Sequence, residues 1–182
     1  MKKKILALFF CLNLTCLINC FEHCKDYEFF DYEGIKTVVQ NPYVMENDSL
    51  SFGASYINIE YLSGVKFNFN FGNKLYATVD CDKGYGGEKY PLNRITITSD
   101  SDFNTDFPAN SELNEIISVN GTNSNGDYVI GKIIDFEASN VNLSNMYLSM
   151  RPNNNESHKI TIEIEKSNGE VLSSTTEEII WE

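Results

Sequence analysis

The sequence predicts an all-β chain folded as an antiparallel sandwich with one short connecting helix. Hydrophobicity alternates with a period of two over many short runs, the pattern of strands buried on one face. Glycine, asparagine and serine punctuate those runs at close intervals, and only two stretches show helical spacing. Seven or more short strands separated by turn signals pack most simply as two stacked sheets.

Residues 35–39 supply the first strand. The alternation is plainer at 56–61 (Tyr-Ile-Asn-Ile-Glu-Tyr) and at 65–71 (Val-Lys-Phe-Asn-Phe-Asn-Phe), with Ser63-Gly64 between them. Gly72-Asn73 then leads into a strand at 75–81, and residues 94–99 and 146–150 add two more. The clearest case is 158–166, where Ile160, Ile162 and Ile164 face one way and Thr161, Glu163 and Glu165 the other. Ser167-Asn168-Gly169 has the chemistry of a hairpin turn, residues 170–176 return as the partner strand, and 178–181 form a last extended stretch. The helix is expected at 111–118, with Pro108 shortly before it, a polar cap, Glu112 in the first turn, and Leu113, Ile116 and Ile117 at i, i+3 and i+4. Residues 132–138 suggest one more helical turn between strands.

The N-terminus has a different logic. Lys2, Lys3 and Lys4 precede an apolar run at 5–18, and Leu17-Ile18-Asn19-Cys20 sits where a bacterial lipobox belongs. As a helix that apolar run would span about 21 Å, short of the roughly 30 Å of hydrocarbon that a membrane-crossing helix must cover. No A-x-A-like site for ordinary secretory cleavage lies between Leu14 and His23. The expectation is a lipoprotein signal peptide at 1–19, lipid on Cys20, a lipid-anchored tether at 20–26 and one sandwich domain at 27–182. Asn19 departs from the small residue usual before the cysteine, and Cys16 fits less well because Asn13 stands where Leu17 serves Cys20.

Losing the leader removes three lysines and no acidic residue, so the formal charge moves from −12 to −15. Such a surface repels phosphate backbones and anionic head groups, which argues against nucleic acid and against electrostatic docking on a membrane. Cys11 and Cys16 leave with the leader and Cys20 takes the lipid. In an oxidising compartment Cys24 and Cys81 should then pair, closing a loop of 58 residues worth about 4 kcal/mol in the chain-entropy model. A zinc site from His23, Cys24 and Cys81 falls one ligand short of a closed one.

Catalytic signals are sparse. Asp100, Asp102, Asn104 and Asp106 space oxygen atoms as a calcium loop does, but Thr105 stands where the turn glycine belongs and Ser111 where a bidentate Glu belongs. The bland reading is a solvated acidic loop. His23 and His158 are the two histidines; both are expected to be exposed, with neither placed to serve a nucleophile. Residues 83–91 are glycine-rich without a phosphate fingerprint, and Tyr85 and Tyr90 within them offer amphipathic rings on which a sugar can stack. No cofactor, no metal and no enzymatic activity are expected.

Four segments carry a resemblance. Residues 27–35 (Tyr-Glu-Phe-Phe-Asp-Tyr-Glu-Gly-Ile), the strand ending Val79-Asp80-Cys81, and residues 93–103 (Asn-Arg-Ile-Thr-Ile-Thr-Ser-Asp-Ser-Asp-Phe) are similar to an uncharacterised family of Bacteroidetes lipoproteins, as is the Pro108-Ala109-Asn110-Ser111-Glu112-Leu113 segment. The resemblance implies an immunoglobulin-like sandwich on a lipid anchor and no reaction. It also implies that Glu22, Asp26 and Glu28 direct export to the cell surface. The functional expectation is a non-enzymatic binding or structural module at the outer membrane or cell surface, or on the periplasmic face, whose partner is an envelope protein or a glycan. The alternative is a carbohydrate-binding or accessory glycan-uptake lipoprotein.

Overall fold

A computed structural model describes residues 28–62, 83–148, 150–153 and 157–182. The chain divides into two compact units, one formed by Met1–Asp31 with Ile59–Lys89 and the other by Tyr32–Asn58 with Tyr90–Glu182. Among the described residues the regular structure is almost all strand: β1 (Phe29–Val39), β2 (Tyr43–Val44), β3 (Leu50–Leu62), β4 (Leu92–Ser99), β5 (Ile117–Thr122), β6 (Tyr128–Lys132), β7 (Val141–Leu148), β8 (Ile160–Lys166), β9 (Val171–Thr175) and β10 (Ile180–Trp181). The expected strands at 65–71 and 75–81 lie outside the described residues.

Three sheets form. A five-stranded sheet runs in the order β1-β3-β7-β5-β6, a three-stranded sheet in the order β4-β8-β9, and β10 pairs with β2 in parallel. The β3–β7, β5–β7 and β5–β6 ladders of the first and both ladders of the second are antiparallel. The architecture is all-β and sandwich-like, as the alternation predicts.

Period two decides which side chains go inside. Ile160, Ile162 and Ile164 of β8 are buried, as are Leu92, Ile95 and Ile97 of β4. In the larger sheet Leu50, Phe52, Ile117, Val119, Leu143, Met146 and Leu148 turn inward. Burying each such side chain contributes roughly 1.5–3 kcal/mol. Thr37 of β1 and Ser174 of β9 bond across the edge, with the Thr37 N–H donating to Ser174 Oγ at 3.0 Å and the two hydroxyls 3.1 Å apart. Trp181 is buried near the C-terminus, edge-on to Phe103 at 6.2 Å and under the Arg151 guanidinium at 5.3 Å.

The structure overturns the helix expected at 111–118. Glu112 bridges to Thr98, and the Leu113 N–H donates to the Ile97 carbonyl at 2.8 Å. The Asn114 side chain then copies a strand edge: its Oδ1 accepts from the Ile97 N–H at 3.1 Å, and its Nδ2 donates to the Ile95 carbonyl at 2.8 Å. One 3₁₀ turn remains, Asn114–Ile116, before Ile117 begins β5. The buried positions Ile117, Val119 and Gly121 show a period of two overriding the three-to-four spacing. Near 132–138 there are two 3₁₀ turns, Ile133–Asp135 and Ala138–Asn140.

A second correction concerns His158, which is fully buried. Its backbone exchanges hydrogen bonds with Ile179, which carries the chain straight into β8. Position 158 therefore shares the inward parity of the isoleucines, and so does Lys166 at the other end. Lys166 Nζ donates to the Tyr32 carbonyl and to Glu170 Oε2 at 3.0 Å, and sits 4.0 Å from the centre of the Tyr32 ring. Tyr32 in turn stacks on Tyr56 at 3.9 Å. The β8–β9 hairpin closes at Gly169, whose φ of 86° is a conformation that favours glycine.

Candidate functional site

Cys20, Cys24 and Cys81 lie outside the described residues. Tyr85 belongs to the smaller unit, half-exposed on a turn where the Gly86 N–H donates to the Glu28 carbonyl and Lys89 to that of Phe30. Tyr90 opens the second segment of the larger unit and is partly buried. The two tyrosines read together from sequence thus fall in different units.

In the acidic loop each side chain but one serves the backbone. Asp100 Oδ1 accepts from the Lys159 N–H at 2.7 Å and Asp102 Oδ1 from Ala109 at 2.7 Å. Asn104 Oδ1 accepts from Asp106 at 2.9 Å and from Phe107 at 3.0 Å, a local turn of the kind asparagine favours. The loop is built as a connection, and Asp106 is exposed. Among the described residues no three His, Cys, Asp or Glu side chains gather where they could hold a metal.

Ser99 Oγ lies 2.8 Å from His158 Nδ1. In an open cleft that pair would have the distance of a nucleophile and its base. Here Ser99 is 2% exposed and His158 0%, so a substrate carbonyl has no approach and the bond instead ties the end of β4 to the segment entering β8.

Among the described residues, two of the recesses that indent the larger unit bear on a site. The larger, about 210 Å³, is bordered by Arg94, Glu112, Asn114 and Phe136. Its polar groups already satisfy one another: Arg94 Nη2 pairs with Glu112 Oε2 at 3.4 Å, and Asn114 Nδ2 donates to Glu112 Oε1 at 2.6 Å. The smaller, about 160 Å³, is lined by Gln40, Asn41, Tyr43, Asp48, Ser49 and Ser51. Tyr43 is half-exposed there, and its backbone is held by pairing with Ile180 and by its N–H donating to Asn41 Oδ1 at 3.0 Å.

This smaller recess continues onto the outer face of the five-stranded sheet. The Gln40 N–H donates to the Ser51 carbonyl at 3.1 Å, Ser51 stands opposite Tyr147, and Tyr147 opposite Ser118. A second row pairs Asn142 with Asn120 and Asn120 with Ile130. Asn142 Nδ2 donates to the Tyr128 hydroxyl at 2.9 Å, which steadies a ring that is 63% exposed on β6. Ser51, Ser118, Asn120, Thr122, Asn142 and Tyr147 alternate with buried residues, and none carries a charge. Hydroxyls and amides there offer both donors and acceptors, and the tyrosines add flat apolar surface.

The chain matches no protein-family model, no curated protein and no solved structure. Among the described residues no helix is long and apolar enough to cross a membrane. The residues of this face went unnoticed in the sequence reading. The available signal was the run 117–122, whose alternate positions are Ser118, Asn120 and Thr122.

Proposed function

We propose that this protein is a lipid-anchored, non-enzymatic binding module of a bacterial cell envelope. The anchor reading rests on the lysine-led apolar leader that ends at Cys20, and the similarity of residues 27–35 and 93–103 to Bacteroidetes lipoproteins points to the same compartment. The observation that carries the binding reading is the run of uncharged outward residues on the central strands β3, β7 and β5 (Ser51, Tyr147, Ser118, Asn142 and Asn120), bounded by Lys132 on β6, in a chain of net charge −12. On this reading the sandwich is immunoglobulin-like, held by lipid at the outer membrane or cell surface or on the periplasmic face, and stapled near its tether by a Cys24–Cys81 disulfide. Its partner is an envelope protein or a glycan.

Replacing Cys20 by Ala tests the anchor. Lipid chains contribute about 0.8 kcal/mol per buried CH₂, so their loss should move the protein from the membrane fraction to the soluble one or halt its processing. A variant that matures and sediments as before would overturn the reading.

A further inference from the structure

We propose that the recess at Tyr43 and the adjoining face of β3, β7 and β5 form one continuous site for a neutral oligosaccharide. This names the ligand of the binding reading and rests on it.

Geometry supplies the first argument. Neighbouring strands lie about 4.8 Å apart, so the row from Ser118 through Tyr147 and Ser51 to Gln40 spans roughly 14 Å. That is an extended track ending in a recess of about 160 Å³, the shape for a short chain with one residue seated deeper than the rest. The opposite end of the face is bounded by β6, with Lys132 opposite Ser118, Ile130 opposite Asn120 and the exposed Tyr128 opposite Thr122.

Chemistry supplies the second. A neutral sugar carries hydroxyls that both donate and accept, arranged around apolar C–H faces. Asn, Gln and Ser side chains match the first property, and the rings of Tyr43 and Tyr147 match the second. Asp48, an acceptor at the recess, can take two sugar hydroxyls at once. A protein partner would more typically meet an apolar centre rich in Phe, Trp, Met or Arg, and the central strands present none of these outward. An anionic glycan would meet a single lysine, Lys132 opposite Ser118 at the β6 edge, and would be repelled at the recess by Asp48, where the track ends.

Rigidity supplies the third. The outward side chains of the face stand on paired strands, Tyr43 is fixed by the β2–β10 pairing, and Tyr128 by Asn142. Little ordering entropy is lost when such a surface binds.

The test uses the full-length chain in detergent micelles on an array of neutral tetrasaccharides (glucose, mannose and N-acetylglucosamine series) and of sialylated, sulfated and uronic-acid glycans. Neutral glycans should be retained and charged ones not. Tyr43→Ala and Asp48→Asn should each weaken the best neutral ligand at least about tenfold, equivalent to roughly 1.4 kcal/mol, with melting temperatures unchanged. Tyr85→Ala, in the other unit, should bind as wild type does. The site is refuted if no neutral glycan is retained, if only charged glycans are, if both recess variants bind normally, or if Tyr85→Ala is the variant that loses binding. Binding is read in micelles and anchoring by fractionation. Failure here with Cys20→Ala still releasing the protein overturns this site alone, and the reverse pattern overturns only the anchor.

Discussion

The two main sheets of the larger unit bury the same kind of face and show water different ones. Inward, the β4-β8-β9 sheet offers Ile95, Ile97, Ile162 and Ile164, and the five-stranded sheet offers Phe52, Val119, Met146 and Leu148. Outward, the smaller sheet aligns Arg94 with Glu165 and Thr96 with Glu163, and Asn93 Nδ2 donates to Glu165 Oε1 at 3.4 Å. The central strands of the larger sheet align Ser51, Tyr147 and Ser118 in one row and Asn142 and Asn120 in another, and charge enters only at the β6 edge with Lys132. Burial fixes every second residue of each strand and leaves the alternate ones free to vary. On the proposed reading the outer composition reports what each face meets. Charged rows suit bulk water, whereas an amide and hydroxyl face suits a ligand that is itself neutral and hydrated.

The largest effects should fall on what the sheets share. Ile162→Ala and Met146→Ala each empty a fully buried position, so both should lose about 2–5 kcal/mol in urea unfolding. If one is costly and the other nearly silent, the two sheets do not draw on a common core. A middle effect should single out the larger sheet. A Cβ on Gly53 would stand 2.3 Å from the Ser144 carbonyl oxygen, which is backbone and cannot swing aside. Gly53→Ala should cost about 1–3 kcal/mol and, by parting β3 from β7 beneath the proposed track, lower glycan retention as well. A stable variant with normal retention would separate the track from that ladder. The smallest effect belongs to the charged face. The Arg94–Glu112 pair is well exposed, so Arg94→Ala should change stability by less than about 1 kcal/mol and leave glycan retention as it was.

Strand parity was legible in the sequence where both faces agreed with their chemistry. The alternation at 158–166 and the Ser167-Asn168-Gly169 turn became β8 and its hairpin to β9. It was misread where a polar residue stood at an inward position. His158 has the same parity as Ile160, Ile162 and Ile164, yet it was expected to be exposed; its burial, like that of Lys166 at the other end of the strand, was possible because Ser99 pairs with the histidine and Tyr32 and Glu170 with the lysine. Ser99 and Tyr32 lie 59 and 134 residues away, beyond any local window. The 111–118 segment failed for a related reason, since Leu113, Ile116 and Ile117 satisfy a helical stripe as well as a turn entering a strand, and only Asn114 binding the backbone of β4 decides between them. The candidate face was hidden because its residues come from separate stretches, Gln40 to Ser51, Ser118 to Thr122 and Asn142 to Tyr147, that register alone brings into line.

The lysine enclosed at the end of β8 also gives the molecule a reporter of its own. Lys36, Lys83, Lys89, Lys132 and Lys159 are exposed, while Lys166 is shut away against Tyr32. An amine-reactive reagent will mark the open lysines at once and reach Lys166 only when the β8–β9 hairpin lifts. Its labelling half-time, read by peptide mass, is then a clock for local opening of the fold, with no probe to be engineered.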